Sequence, residues 1–220
     1  MPRNKYPQET VRKILEGSLK LFLEKGYEET TVLDIVGNLG GMTRGAFYHH
    51  FKSKEEVFSA LSEKLFFDNN PFEAAANTKG ASGLEKIRAI WLSQMASDPG
   101  AYPEIVQTSV SLLKQPHFLA RKIKNDKRVA KMFEPLVEEG IADGSIRGGN
   151  PRLLAELSQL LASFWLMPSV FPCDRAEFLE KVRMIRRIFD SLGFPIADEK
   201  HMEAAEGLAD LLGIPAAPAP

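Results

Sequence analysis

Residues 30–58 read TTVLDIVGNLGGMTRGAFYHHFKSKEEVF. Two short helical patterns lie here on either side of a glycine-rich break. The first starts at the Thr30/Thr31 cap and carries Val32, Ile35, Val36 and Leu39 on one side, ending at Gly40-Gly41. The second begins at Thr43 and stops near Phe51. It is barely two turns long, so its own propensity cannot hold it. Packing must pin it, and Met42, Phe47 and Phe51 are the apolar side chains placed to do so. Arg44, Gly45, Tyr48 and His49 then lie on the other side. Two short helices joined by a tight turn make a helix-turn-helix.

The outward residues suit the DNA major groove, which admits one α-helix. Arg44 can donate a bidentate fork to guanine O6 and N7, and Gly45 removes a side chain where the helix must come close. Tyr48 and His49 can reach phosphates, or stack against sugar and thymine methyls. Free N–H groups near Thr43 and the positive helix end favour a phosphate. Lys52 and Lys54 add cations at the rim.

Outward from this segment, helical periodicity dominates the 220 residues. Val11, Ile14, Leu15, Leu19, Phe22 and Leu23 predict a first helix, capped at Thr10 and stopped at Gly26. Ser53 and Glu56 form a capping box for a helix burying Val57, Phe58, Leu61 and Leu65. Residues 68–83 read as a loop. Helical patterns resume at Leu84–Ser97, Glu104–Lys114 and His117–Asp143, the last with Pro135 expected to kink it. An apolar stripe runs from Leu153 to Trp165, and a narrower one from Phe178 to Leu192. A final amphipathic segment covers Asp198–Leu212, and the tail "IPAAPAP" is too poor in apolar area to fold. There is no strand alternation of useful length and no internal repeat. The fold class is all-α.

Composition bounds the function. Hydrophobic residues are 44% and charged residues 26%, which reads as a soluble globular chain. The net charge of −1 hides an asymmetry of +3 over residues 1–54 against −4 over 55–220, which hints at a polyanion partner for the first part. Cys173 is the one cysteine and cannot form an internal disulfide. "MPRNKYPQET" lacks the apolar core of a signal peptide, and the longest uncharged run, Leu157 to Cys173, is short for a bilayer span. A cytoplasmic protein without a membrane segment is expected. Adjacent His49 and His50 point about 100° apart on a helix and have no Cys/His set beside them, so no metal is expected. Gly40–Gly45 lacks the Lys-Ser/Thr of a P-loop and follows a helix rather than a strand. His117 and His201 have no evident partners. No nucleophile or metalloprotease motif is present, so neither an enzyme nor a cofactor is expected.

The stretch quoted above, with "ETVRKILEGSLKLFLEKGYEETTV" before it, resembles the N-terminal DNA-binding domain of the TetR/AcrR family of bacterial transcription regulators. The resemblance covers roughly residues 8–60. It rests on Lys-Gly-Tyr before a Thr pair, then Arg-Gly-x-x-Tyr-x-His-Phe-x-x-Lys. It implies a DNA-binding domain at 1–54, a helical effector-binding and dimerisation domain at 55–212 with helix 4 as linker, and a disordered tail at 213–220. It places Thr43, Arg44, Gly45, Tyr48 and His49 on the recognition helix, and Thr31 and Lys54 on phosphate-contacting positions. The spacing from Ile35 to Gly41 is six residues where five is usual, so the turn is one residue longer.

The implied partners are a palindromic double-stranded operator, a second copy of the chain and a small-molecule effector, expected to be apolar. Trp91, Met95, Phe164 and Trp165 are the candidates to line the effector site. The implied activity is repression, released when the effector favours a conformation whose recognition helices no longer match the half-site spacing. An activator, a ligand-independent regulator, and a helical enzyme or carrier with an incidental basic tip remain the alternatives.

Overall fold

The computed structural model describes residues 7–68, 71–95 and 103–216. Its regular elements are all helices, with no strand among these residues. The chain divides into two compact units, Met1–Asn69 and Asn70–Pro220.

The first unit holds α1 (Pro7–Lys25), α2 (Val32–Asn38), α3 (Arg44–His50) and α4 (Lys54–Asp68). α1 starts at Pro7, before the expected Thr10 cap, which suits a residue with no N–H to lose in a first turn. It stops where Gly26 adopts φ 86°. Ile14, Ile35, Phe47 and Val57, one from each helix, are wholly buried together with Phe22, Tyr27 and Phe58. The last three form a ring cluster with centroids 5.0–5.8 Å apart. The helix expected to belong to the larger domain therefore packs in this one: Val57, Phe58 and Leu61 of α4 are all buried, and the unit ends at residue 69 rather than at 54.

The second unit holds α5 (Pro71–Ala76), α6 (Gly83–Met95), α7 (Pro103–Leu112), α8 (Pro116–Ala142), α9 (Pro151–Leu160), α10 (Arg175–Ser191) and α11 (Glu199–Leu211). A π-helical turn, Leu161–Trp165, continues α9. α8 is the spine, packing on α9 and α6. It runs unbroken through Pro135. At its crossing with α6 the backbones touch: a Cβ on Gly83 would sit 2.2 Å from Gly140 N and 2.5 Å from Leu136 O. The crossing also satisfies the first N–H groups of α6, since Gly83 N donates to Asp143 and Leu84 N to Ser145 Oγ. Within the segment expected to be a loop, α5 seats Phe72 against Phe133 of α8, with centroids 4.8 Å apart.

Phe178, Val182, Ile185 and Phe189 of α10 all face their own unit's core, each at most 5% exposed. The inner stripe is thus not a free surface. Ile185 is a core residue, and a charge there would break packing before it broke any interface. The apolar side chains left outside on α9 and around α10 are Leu153, Leu160, Met184 and Leu192. The tail expected to be disordered from 213 is docked at its start. Ile214 is buried, and Pro215 O accepts from Arg175 N. Residues 217–220 lie outside the described residues.

Candidate nucleic-acid interface

The tip of the first unit is built by caps. Thr31 is the N-cap of α2: its Oγ1 accepts from Asp34 N at 3.1 Å and donates to Asp34 Oδ2 at 2.7 Å. Lys25 Nζ donates to the same carboxylate at 2.8 Å, tying the end of α1 to the start of α2. Hydrogen bonds from Lys25 and then Thr31 hold Asp34 well below the usual carboxylate range. Leu39 closes α2, and Gly40 and Gly41 follow with φ 43° and 86°. Two consecutive left-handed residues turn the chain, and only glycine takes that backbone without strain. The longer turn is accommodated here, while Leu39 packs against α1 at Gly17.

Thr43 then caps α3, accepting from Ala46 N at 3.1 Å. Phe47 is fully buried and Phe51 nearly so. Met42 is only half-buried, so the two phenylalanines do most of the pinning. Arg44 and Tyr48 stand four residues apart on one side, as do Gly45 and His49, and all four are exposed. Tyr48 is 46% exposed, a large share for an aromatic ring. A Cβ at Gly45 would meet nothing nearer than Thr43 Oγ1 at 3.9 Å, so the fold itself does not require glycine there. His50 is half-buried, and burial, with His49 beside it, holds it below the ordinary histidine range.

Two of the expected phosphate-contacting residues have internal tasks. Lys54 Nζ donates to Tyr27 O at 2.7 Å and Glu28 O at 3.2 Å, and lies 4.2 Å from the Tyr27 ring centroid. One of its three protons is left for an outside partner. The Thr31 hydroxyl already gives its proton to Asp34. Lys52, by contrast, is exposed at the rim, with its backbone N–H held by Glu56. The two Lys54 bonds span 27 and 26 residues in sequence, and no local pattern announces them.

In the second unit the effector candidates separate. Trp91 and Met95 line a cavity of about 190 Å³ together with Leu166, Met167 and Ile185. Phe164 instead faces an open groove along α8 and α9, lined also by Asp126, Lys131 and Gln159. Trp165 is half-buried and lines neither. Phe164 follows Arg152, Glu156 and Leu160 at four-residue steps along the groove side, whereas Ala162 and Ser163 of the π-helical turn line the cavity. His201, to which the sequence assigned no partner, is 2% exposed on the cavity wall. Its Nδ1 bonds Asp198 Oδ1 at 2.7 Å and its Nε2 bonds Arg88 O at 2.9 Å.

A capped, buried-anchored short helix that presents Arg, Gly, Tyr and His outward after a glycine turn defines a helix-turn-helix DNA-binding module carried by an all-helical chain. The profile of the bacterial regulatory proteins of the tetR family matches residues 14–61. The repressor KstR2 of Mycolicibacterium smegmatis is 30% identical over 138 residues, covering 61% of this chain and 66% of that protein. The repressor AcnR of Corynebacterium efficiens is 32% identical over 120 residues, covering 52% and 57%. In both cases the chain spans less than two thirds of the relative's length. Among solved structures, a TetR-family regulator from Pectobacterium atrosepticum superposes with a TM-score of 0.61 over 86% of this chain and 97% of its own, at 23% identity. Residues 14–61 thus carry the DNA-binding domain of the tetR family, and the matches as a whole support a TetR/AcrR-type transcriptional regulator. No helix among the described residues is long and apolar enough to cross a membrane.

Proposed function

We propose that this protein is a cytoplasmic, ligand-responsive transcriptional repressor that acts by binding rather than by catalysis. Two copies present their α3 helices to the half-sites of a palindromic operator. Arg44 reads a guanine, Tyr48 and His49 contact the backbone or thymine methyls, and Gly45 allows close approach. Thr43 receives a phosphate at the start of α3. Lys52 and the remaining proton of Lys54 hold flanking phosphates, with Thr31 beside them at the start of α2. The single observation that carries this reading is that Arg44, Gly45, Tyr48 and His49 are exposed together on a helix whose opposite face is anchored by fully buried Phe47. The repressor names of the relatives support repression, and the apolar cavity around Trp91 and Met95 supports regulation by an effector.

The test is gel-shift binding to DNA upstream of the protein's own gene. The expected result is a salt-sensitive complex that Arg44→Ala weakens by about 1–3 kcal/mol while relaxing specificity at one base position. Wild-type affinity and selectivity in Arg44→Ala would remove the base-reading role. No complex with any upstream DNA would favour the carrier or enzyme alternative.

A further inference from the structure

The cavity in the second unit is apolar apart from four side chains, Gln94, Lys122, Ser163 and His201. Both His201 nitrogens are committed to Asp198 and Arg88 O. Lys122 is the one cation among these four. Its ammonium pairs with Asp126 at 2.9 Å and lies 5.3 Å from the centroid of the Phe164 ring. The pair is largely shielded, with side-chain exposures of 19% and 13%. Asp126 does not line the cavity. It lines the outer groove, where Lys127 and Lys131 also stand. Gln159 bridges the two sides, its Nε2 donating to Asp126 Oδ1 at 3.4 Å and to Ser163 Oγ at 2.5 Å. A thin polar partition, built on α8, α9 and the π-helical turn, thus separates the apolar cavity from the outer groove.

We propose that this cavity takes a small monocarboxylic acid, its apolar body against Trp91, Met95 and Met167 and its carboxylate on Lys122 Nζ and the Ser163 hydroxyl. The proposal rests on the reading of the second unit as an effector domain and names the class of ligand. The cavity sets the size: about 190 Å³ is below the roughly 300–1,000 Å³ of drug-sized sites. One largely shielded cation sets the charge, since a second negative charge would find no partner among the cavity side chains. The ligand carboxylate displaces Asp126, which can turn outward to Lys127 and Lys131. Asp126 is a weak competitor, because burial raises it above the usual carboxylate range although Lys122 opposes the shift. Exchange of the Lys122 partner moves the contact between α8 and the π-helical turn, which gives the ligand a mechanical consequence.

The experiment titrates the full-length protein with straight-chain carboxylates from butanoate to decanoate and with the matching primary alcohols. Tryptophan fluorescence, to which Trp91 on the cavity wall and Trp165 both contribute, and calorimetry report binding. The expected result is that a medium-chain acid binds at least about tenfold tighter than its alcohol. Lys122→Met should remove that preference, and Asp126→Asn should tighten acid binding by freeing the ammonium. Because Lys122→Met leaves Asp126 buried without its partner, the double variant Lys122→Met/Asp126→Leu, which removes the whole pair, is measured beside it. Acids and alcohols of equal affinity, acid binding unchanged in the double variant, or no acid binding at all would overturn the proposal. Acid binding that follows the expected pattern without releasing operator DNA upholds the site and removes only the effector role.

Discussion

Gly45 separates what the fold needs from what the interface needs. Its absent side chain leaves open space, its φ is not in the left-handed region, and it sits in the first turn of α3. Alanine is a better helix former than glycine by about 1 kcal/mol, so Gly45→Ala is expected to hold or raise thermal stability. The same methyl group would stand between α3 and the groove floor, so operator affinity is expected to fall. Thermal melting and fluorescence anisotropy on labelled DNA measure the two effects in one sample. A stable variant with undiminished affinity would show that α3 does not approach the bases closely. The outward placement of Arg44, Gly45, Tyr48 and His49 was readable from sequence, because inward Phe47 and Phe51 fix the rotation of a two-turn helix. The internal work of Lys54 was not readable, because Tyr27 O and Glu28 O reach it only in the folded unit, whereas the Thr31–Asp34 bonds are local to the α2 cap.

At the scale of elements, the cap of α2 carries a pH signature. Asp34 lies below its ordinary value in the folded unit through Lys25 and Thr31. A depressed carboxylate stabilises the fold above its unfolded value, about 3.9, and that contribution is lost as pH falls through the folded value. Asp34→Asn is therefore expected to melt below the wild type near neutral pH, with the gap closing in strong acid. Circular dichroism melts across that range measure it, and a gap that widens on acidification would contradict the assignment. Most helices were legible because their apolar positions repeat at three and four residues. α5 was not: six residues with three alanines, Pro71–Ala76, carry too little periodicity, and packing of Phe72 on Phe133 holds them. The π-helical turn was equally invisible. Apolar periodicity marks Phe164 as an apolar helix position without saying which hollow it borders, and it lies with Glu156 and Leu160 on the groove.

At the scale of the whole molecule, the stripes on α9 and α10 prove two-faced. Sequence shows that both helices are strongly apolar but not which side meets its own core. Phe178, Val182, Ile185 and Phe189 turn inward. Leu153 and Leu160, one heptad apart on α9, remain 59% and 55% exposed, and Met184 and Leu192 are exposed around α10. A second copy covering these side chains would complete the dimer that a palindromic operator requires. Leu160→Glu is expected to keep the fold, shift sedimentation from dimer to monomer at micromolar concentration, and weaken operator binding. A wild-type monomer under the same conditions would remove the dimer.

The central claim is that two copies of α3 read a symmetric sequence. Selection of bound duplexes from a randomised DNA pool by the purified protein tests it with no target sequence chosen in advance. The account predicts enrichment of an inverted repeat whose half-sites are about one helical turn or a multiple of it apart, lost when Arg44 and Tyr48 are both replaced by alanine. Enrichment of no sequence, or of the same sequence by the double variant, would contradict it.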